Sequence, residues 1–131
     1  PGHEFGYQPF PDSQMTGLHN LLREVIPRYN IALSRVVGHS DIAPARKQDP
    51  GELFDWQGLA GAGLSIWPCM AADPVEPADV AKTLADIGYD PRVPLPHLIM
   101  AFQRRFVPHT ISGTADLRTR SMIGAVAAIK R

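Results

Sequence analysis

The sequence predicts an α/β fold that ends in a small helical unit. Three observations carry this: an amphipathic pattern over 12–29, a short apolar run over 35–38 that reads as a buried strand, and three further amphipathic segments between 79 and 130. In the first segment Met15, Leu18, Leu21, Leu22, Val25, Ile26 and Tyr29 recur at three- and four-residue spacings and form one core-facing stripe. Asp12 or Ser13 fits its N-cap, and His19 falls off the stripe as a surface residue. Pro27 lies in the last turn, where its missing N–H predicts a kink or an early end.

The run Ser34 to Gly38 leads into the loop 38–51, Gly-His-Ser-Asp-Ile-Ala-Pro-Ala-Arg-Lys-Gln-Asp-Pro-Gly. This loop places an imidazole, His39, and a carboxylate, Asp49, on one chain path with Lys47 between them. Both donor types suit Zn²⁺, and a catalytic zinc takes three protein ligands and keeps a fourth position for water. A strand end at His39 fixes a ligand more firmly than a loop does, and Pro44 and Pro50 stiffen the path to Asp49. The loop supplies two ligands at most, and by spacing alone His39 and Asp49 are equally readable as solvated loop residues. A brief helix near 55–59 follows, with Asp55 as its cap. Phe54 and Trp56 anchor it, and Trp56 is also the candidate for stacking on a substrate.

Residues 61–78 hold three prolines and many small residues and read as a linker, with 73–78 the hinge candidate. Helices are predicted over 79–87, 95–106 and 116–130. Their apolar positions, such as Leu84, Phe102 and Ile123, leave one face of each to bury, which makes a three-helix unit. Gly88 fits a helix C-cap, and Gly113 fits a turn before a helix capped near Asp116.

Composition bounds the function. The 131 residues fit one ordinary domain or two small ones, and 44% hydrophobic content suffices for a core. Thirteen basic side chains balance thirteen acidic ones, which argues against nucleic acid as the main partner. The single cysteine, Cys69, excludes an intrachain disulfide and lies without a basic cluster or helix N-terminus to activate it. No stretch reaches the 18 or so apolar residues of a membrane span.

The run GHSDIAPARKQDPGELFDWQGLAGAGLSIWP closely resembles the metal loop of zinc-dependent N-acetylmuramoyl-L-alanine amidases of the type 2 amidase (AmpD/AmiD-like) family. The resemblance implies that His39 and Asp49 are two of three zinc ligands and that Lys47 stabilises an oxyanion. The family's first zinc histidine and its catalytic glutamate lie upstream of this loop. The chain is therefore expected to be the C-terminal part of a longer enzyme, with residues 1–11 matching a strand-to-helix connection. His3 and Glu4 stand out of place in the motif order for the missing roles and read as loop surface. The third zinc ligand is expected from a missing N-terminal segment, which becomes a partner if it is cleaved but still associated.

The implied fold is the C-terminal part of a mixed sheet with helices over 1–72, followed by a peptidoglycan-binding-like helical domain over 73–131. Residues 98–123 are similar to that domain through Phe102, Gln103, Gly113, Asp116 and Thr119. Arg104, Arg105, Arg118 and Arg120 read as surface charges facing an acidic stem peptide. The implied reaction is hydrolysis of the amide between N-acetylmuramic acid and L-alanine in peptidoglycan or muropeptides, in the periplasm or cell envelope, with the cytoplasm as the alternative. Zinc would lower the pKa of its water to about 7, and the base would come from outside this chain, so the chain alone is expected to be inactive. The competing class is a non-catalytic peptidoglycan-binding or recognition module; His39, Lys47 and Asp49 together favour catalysis.

Overall fold

A computed structural model describes residues 8–130 as six helices joined by loops and two 3-10 turns. The first residues, with His3, Glu4 and most of the 1–11 connection, lie outside the described residues. Helix α1 spans Asp12–Arg28, α2 His39–Ile42, α3 Trp56–Gly61, α4 Val80–Ile87, α5 Leu95–Phe106 and α6 Leu117–Lys130. No described helix is long and apolar enough to cross a membrane.

The expected α/β fold is corrected here, because the described residues contain no strand and no sheet. A strand exists only by pairing with a neighbour about 4.8 Å away. Leu33–Arg35 instead form a 3-10 turn, and Val36 and Gly38 keep extended dihedrals without a ladder. The Val36 carbonyl accepts from the Arg105 guanidinium at 3.1 Å and the Ser65 hydroxyl at 3.4 Å, so side chains take the place of a neighbouring strand.

Helix α1 starts on Pro11, whose carbonyl accepts from the Gln14 and Met15 amides, and no side chain caps it. Asp12 in its first turn and Arg28 in its last complement the helix dipole. Pro27 does not end the helix early, since the chain stays helical to Arg28. It closes on Asn30 at φ 51°, with Ile31 N donating to Ile26 O at 2.9 Å and Asn30 N to Pro27 O at 3.3 Å, a Schellman-type pair. No residue of α1 is fully buried, and Leu21 and Tyr29 are exposed. Leu18, Leu22 and Ile26 pack on a small cluster of Trp56, Leu59 and Leu64. His19, expected on the surface, is half-buried beside Met15 and Phe10.

The larger core belongs to the last three helices. Val80, Leu84 and Ile87 of α4, Leu98, Ile99, Phe102 and Phe106 of α5, and Ile123 and Val126 of α6 are all buried, with α4 laid on α6. Leu95, Leu117 and Ile129, on the helix ends, stay exposed. Gly88 closes α4, where its amide donates to Ala85 O and the Tyr89 amide donates to Leu84 O. The hinge candidate 73–78 is tied to α6: Val75 N donates to Arg120 O, and Arg120 Nη1 donates to Val75 O at 3.0 Å. Trp67 packs against both clusters and lies 5.5 Å from the Phe106 ring.

The residues expected to form a wall-binding-like motif make an internal network. Gln103 is fully buried, and its Oε1 accepts from the amides of Ser112 and Gly113 at 2.9 and 3.0 Å. Its Nε2 donates to Thr114 O and to Thr119 Oγ1, both at 3.0 Å. Gly113 sits at φ +76°, and a Cβ there would meet Met100 Cγ at 3.2 Å. Asp116 caps α6 by accepting from Thr119 N at 2.8 Å.

That amide holds the Asp116 carboxyl below its usual range. A lowered folded pKa contributes stability that is present above the unfolded value of about 3.9 and is lost as pH falls through the folded value. Asp116→Ala is expected to lower stability by about 1 kcal/mol. Denaturant curves at pH 7 and at acid pH check this, and a difference from wild type that persists undiminished in acid would contradict the charge-based part.

Candidate metal centre

The site is built by the loop that leaves Val36. Gly38 caps the four-residue α2, and His39 is its first residue. The chain returns so that Asp49 O accepts from the Ser40 amide at 2.9 Å, which ties the outgoing and returning legs together beside both candidate ligands. The Asp49–Pro50 peptide is cis. The legs meet so closely that a Cβ on Gly38 would stand 2.7 Å from Pro50 Cδ and 3.2 Å from Trp56 Cζ2. That approach is why glycine precedes the histidine.

His39 Nδ1 lies 3.2 Å from Asp49 Oδ2, and both side chains are well exposed, at 48% and 65%. Ten residues apart in sequence, the two are brought together. Their chemistry and spacing fit one zinc ion, because two donors each about 2.1 Å from a tetrahedral ion stand about 3.4 Å apart. Among the described residues no third histidine, cysteine, aspartate or glutamate joins them. Lys47 is exposed in the same loop, two residues before Asp49, with its amide donating to Ala43 O at 2.9 Å.

Trp56, read from the sequence as an anchor of α3 and also as a candidate for stacking on a substrate, is buried. Its ring is 5% exposed, Phe54 meets it edge-on at 4.8 Å, and the Arg105 guanidinium lies 4.1 Å above it. The surface that a sugar would stack on is taken by the protein. Trp56 is a packing residue, as Asp55 is a cap that accepts from Gly58 N at 2.8 Å.

The residue that sequence reasoning misplaced is Arg105. Expected as a surface charge, it is 5% exposed, and its neighbour Arg104 is 8% exposed. Arg105 Nη1 donates to Asp41 Oδ2 at 3.1 Å, and Nη2 donates to Val36 O and Ser65 Oγ, each at 3.1 Å. The signal was present in the spacing: Leu98, Phe102 and Arg105 fall on one stripe of α5, so an arginine there must turn inward. Arg120 is half-buried on backbone carbonyls, and Arg118 alone of the four is exposed.

Asp41 is the second missed residue. Its Oδ2 also accepts from Gly38 N at 2.9 Å, and its Oδ1 accepts from the Tyr89 hydroxyl at 2.6 Å. Burial first, and then the Asp41 charge, push the Tyr89 hydroxyl well above its ordinary value, so it stays a donor.

Residues 2–52 match the family described as N-acetylmuramoyl-L-alanine amidase. The chain is 37% identical to N-acetylmuramoyl-L-alanine amidase AmiD of Escherichia coli K12 over 92% of its length and 49% of that protein's. It is 47% identical to 1,6-anhydro-N-acetylmuramyl-L-alanine amidase AmpD of Haemophilus influenzae over 38% of this chain and 28% of that one. In structure it is similar to E. coli AmiD in complex with anhydro-N-acetylmuramic acid-L-Ala-D-gamma-Glu-L-Lys, with a TM-score of 0.82, over 92% of this chain and 53% of AmiD. It is also similar to AmpDH3 of Pseudomonas aeruginosa, at TM-score 0.83 and 26% identity, over 94% and 55% of the two chains. The chain thus spans about half the length of its AmiD relative.

Proposed function

We propose that this chain, a relative of the type 2 amidases of the AmpD/AmiD kind by sequence and by fold, carries the metal loop of an N-acetylmuramoyl-L-alanine amidase. The observation that carries the reading is the 3.2 Å pairing of His39 with Asp49 in a loop that matches the family. The substrate is a muropeptide or polymeric murein, and the bond cut joins N-acetylmuramic acid to L-alanine. The helical unit over 73–131, which carries the wall-binding-like motif, favours polymeric murein in the periplasm or cell envelope.

In this reading His39 and Asp49 hold zinc together with a third ligand from outside the described residues. When bound, the metal acts as a Lewis acid and supplies a nucleophilic water near neutral pH. Lys47 supplies positive charge to the carbonyl oxygen as negative charge develops on it, a contribution of roughly 10²- to 10³-fold for such a donor. The general base also comes from outside the described residues.

Metal affinity tests the reading. Losing a partner one step removed from a metal costs about 10- to 100-fold in affinity, so His39→Ala and Asp49→Ala are each expected to weaken zinc binding by about 100-fold or more. Competition with a chromophoric chelator measures this, and equal affinity in both variants and wild type would sink the zinc assignment. Zinc-dependent release of L-alanyl peptides from muropeptides by the amidase containing this chain separates catalysis from plain wall binding.

A further inference from the structure

We propose that Tyr89 and Arg105, on and beside the helices of the C-terminal unit, are positioning residues for the metal loop and hold His39 in place through Asp41. The inference rests on the assignment of His39 as a metal ligand and adds what fixes it.

The His39 ring is nearly half exposed, and among the described residues its side chain has a polar contact with Asp49 alone, so burial does not set its direction. Helix α2, which carries it, has only four residues, far below the length at which a helix holds itself. The anchor lies two residues on, where the Asp41 side chain is 7% exposed and receives donors from three parts of the chain. Gly38 N comes from the start of the same turn, the Tyr89 hydroxyl from just after α4, and the guanidinium from α5.

Arg105 grips the loop at a second point, the Val36 carbonyl, and is itself held by Ser65 and by the rings of Trp56 and Phe106 at 4.1 and 4.8 Å. The residues on both sides of His39 are therefore fixed by side chains 48 and 64 positions away from Asp41. Backbone contacts inside the loop, such as Ser40 N to Asp49 O and Ala43 N to His39 O, tie its legs to each other, and Asp41 ties the loop to the helices behind it. An ion pair serving stability alone has no need to meet the carboxylate in the same turn as the ligand. This one is also joined by a tyrosine hydroxyl on the carboxylate's other oxygen.

The test uses the full chain and two variants. Tyr89→Phe removes one hydroxyl and keeps the ring that packs on Phe102, so it folds. Arg105→Lys keeps the charge but loses the fork that reaches Asp41, Val36 and Ser65 together. The readout is hydrogen exchange at the Ser40 amide, which joins the two ligand-bearing legs, set against exchange at Ile123 in the core of α6. Loss of a hydrogen bond to a charged group corresponds to about a tenfold change or more. Tyr89→Phe is expected to speed Ser40 exchange by about that factor while Ile123 keeps its rate, and Arg105→Lys is expected to speed it further. Zinc affinity should fall in the same order, by about 10-fold or more.

Wild-type exchange at Ser40 in both variants would overturn the proposal. So would equal acceleration at Ser40 and Ile123 in both, which is what a purely global role produces. If His39→Ala leaves zinc affinity intact, the metal assignment fails by itself, and Ser40 exchange still decides whether Tyr89 and Arg105 position the loop.

Discussion

Arg105→Met is expected to lower the stability of this chain by about 3–5 kcal/mol, the cost of removing one partner from a buried ion pair. The variant keeps the apolar stem over Trp56 but leaves the Asp41 carboxylate, 7% exposed, with Tyr89 and Gly38 as its donors among the described residues. It also strips the Val36 carbonyl and Ser65 of their shared partner. The urea midpoint measures the loss. Adding Asp41→Asn should restore part of it, because the amide oxygen keeps an acceptor for Gly38 N and the amide nitrogen can donate to the Tyr89 hydroxyl oxygen, without burying a charge. A loss below about 1 kcal/mol would mean that the pair contributes no more than an exposed one.

Gln103→Leu should cost nearly as much by a different route. The volumes are close, so no large cavity forms, but the amides of Ser112 and Gly113 lose their acceptor inside the turn. A fully buried donor left unsatisfied costs about 1–3 kcal/mol, so these two part-buried amides together cost up to about 2–6 kcal/mol. The Thr119 hydroxyl loses its Gln103 donor as well, and the Thr114 carbonyl loses one of its donors. Thermal unfolding at pH 7 checks the expectation, and a Tm within a degree or two of wild type would show that the turn rearranges to satisfy itself. The result also bears on the wall-binding motif, because a glutamine whose amide is fully used inside the protein has nothing left to offer a glycan.

Local patterns explain what the sequence made legible. The three C-terminal helices were readable to within a residue or so, since each has a 3.6-residue stripe and a cap or turn residue at its end: Asp116 before α6, Gly88 after α4, Gly113 in the turn between α5 and α6. The pairing of His39 with Asp49 was expected from the loop motif, and the structure brings the two together. The strand at 35–38 was misread because its apolar residues specify burial and extension without specifying a hydrogen-bonding partner. Val36 found that partner in Arg105, 69 residues later. Trp56 was ambiguous for a similar reason: a tryptophan near a candidate site stacks on a ligand or on its own protein, and the guanidinium above its ring decides which.

Charge was the other point that sequence left open. Four arginines within 17 positions look like a basic surface, yet Arg104 and Arg105 are buried and Arg120 is half-buried on backbone carbonyls. By itself the sequence determined five of the six described helices, the caps at Asp55, Gly88 and Asp116, the membership of His39 and Asp49 in one loop, and the residue chemistry suited to zinc, because each depends on neighbours within a few positions. Only the tertiary structure decided that Asp41, Tyr89 and Arg105 meet beneath that loop. Contacts spanning 48 to 69 residues depend on how helices stack, and no local spacing encodes that.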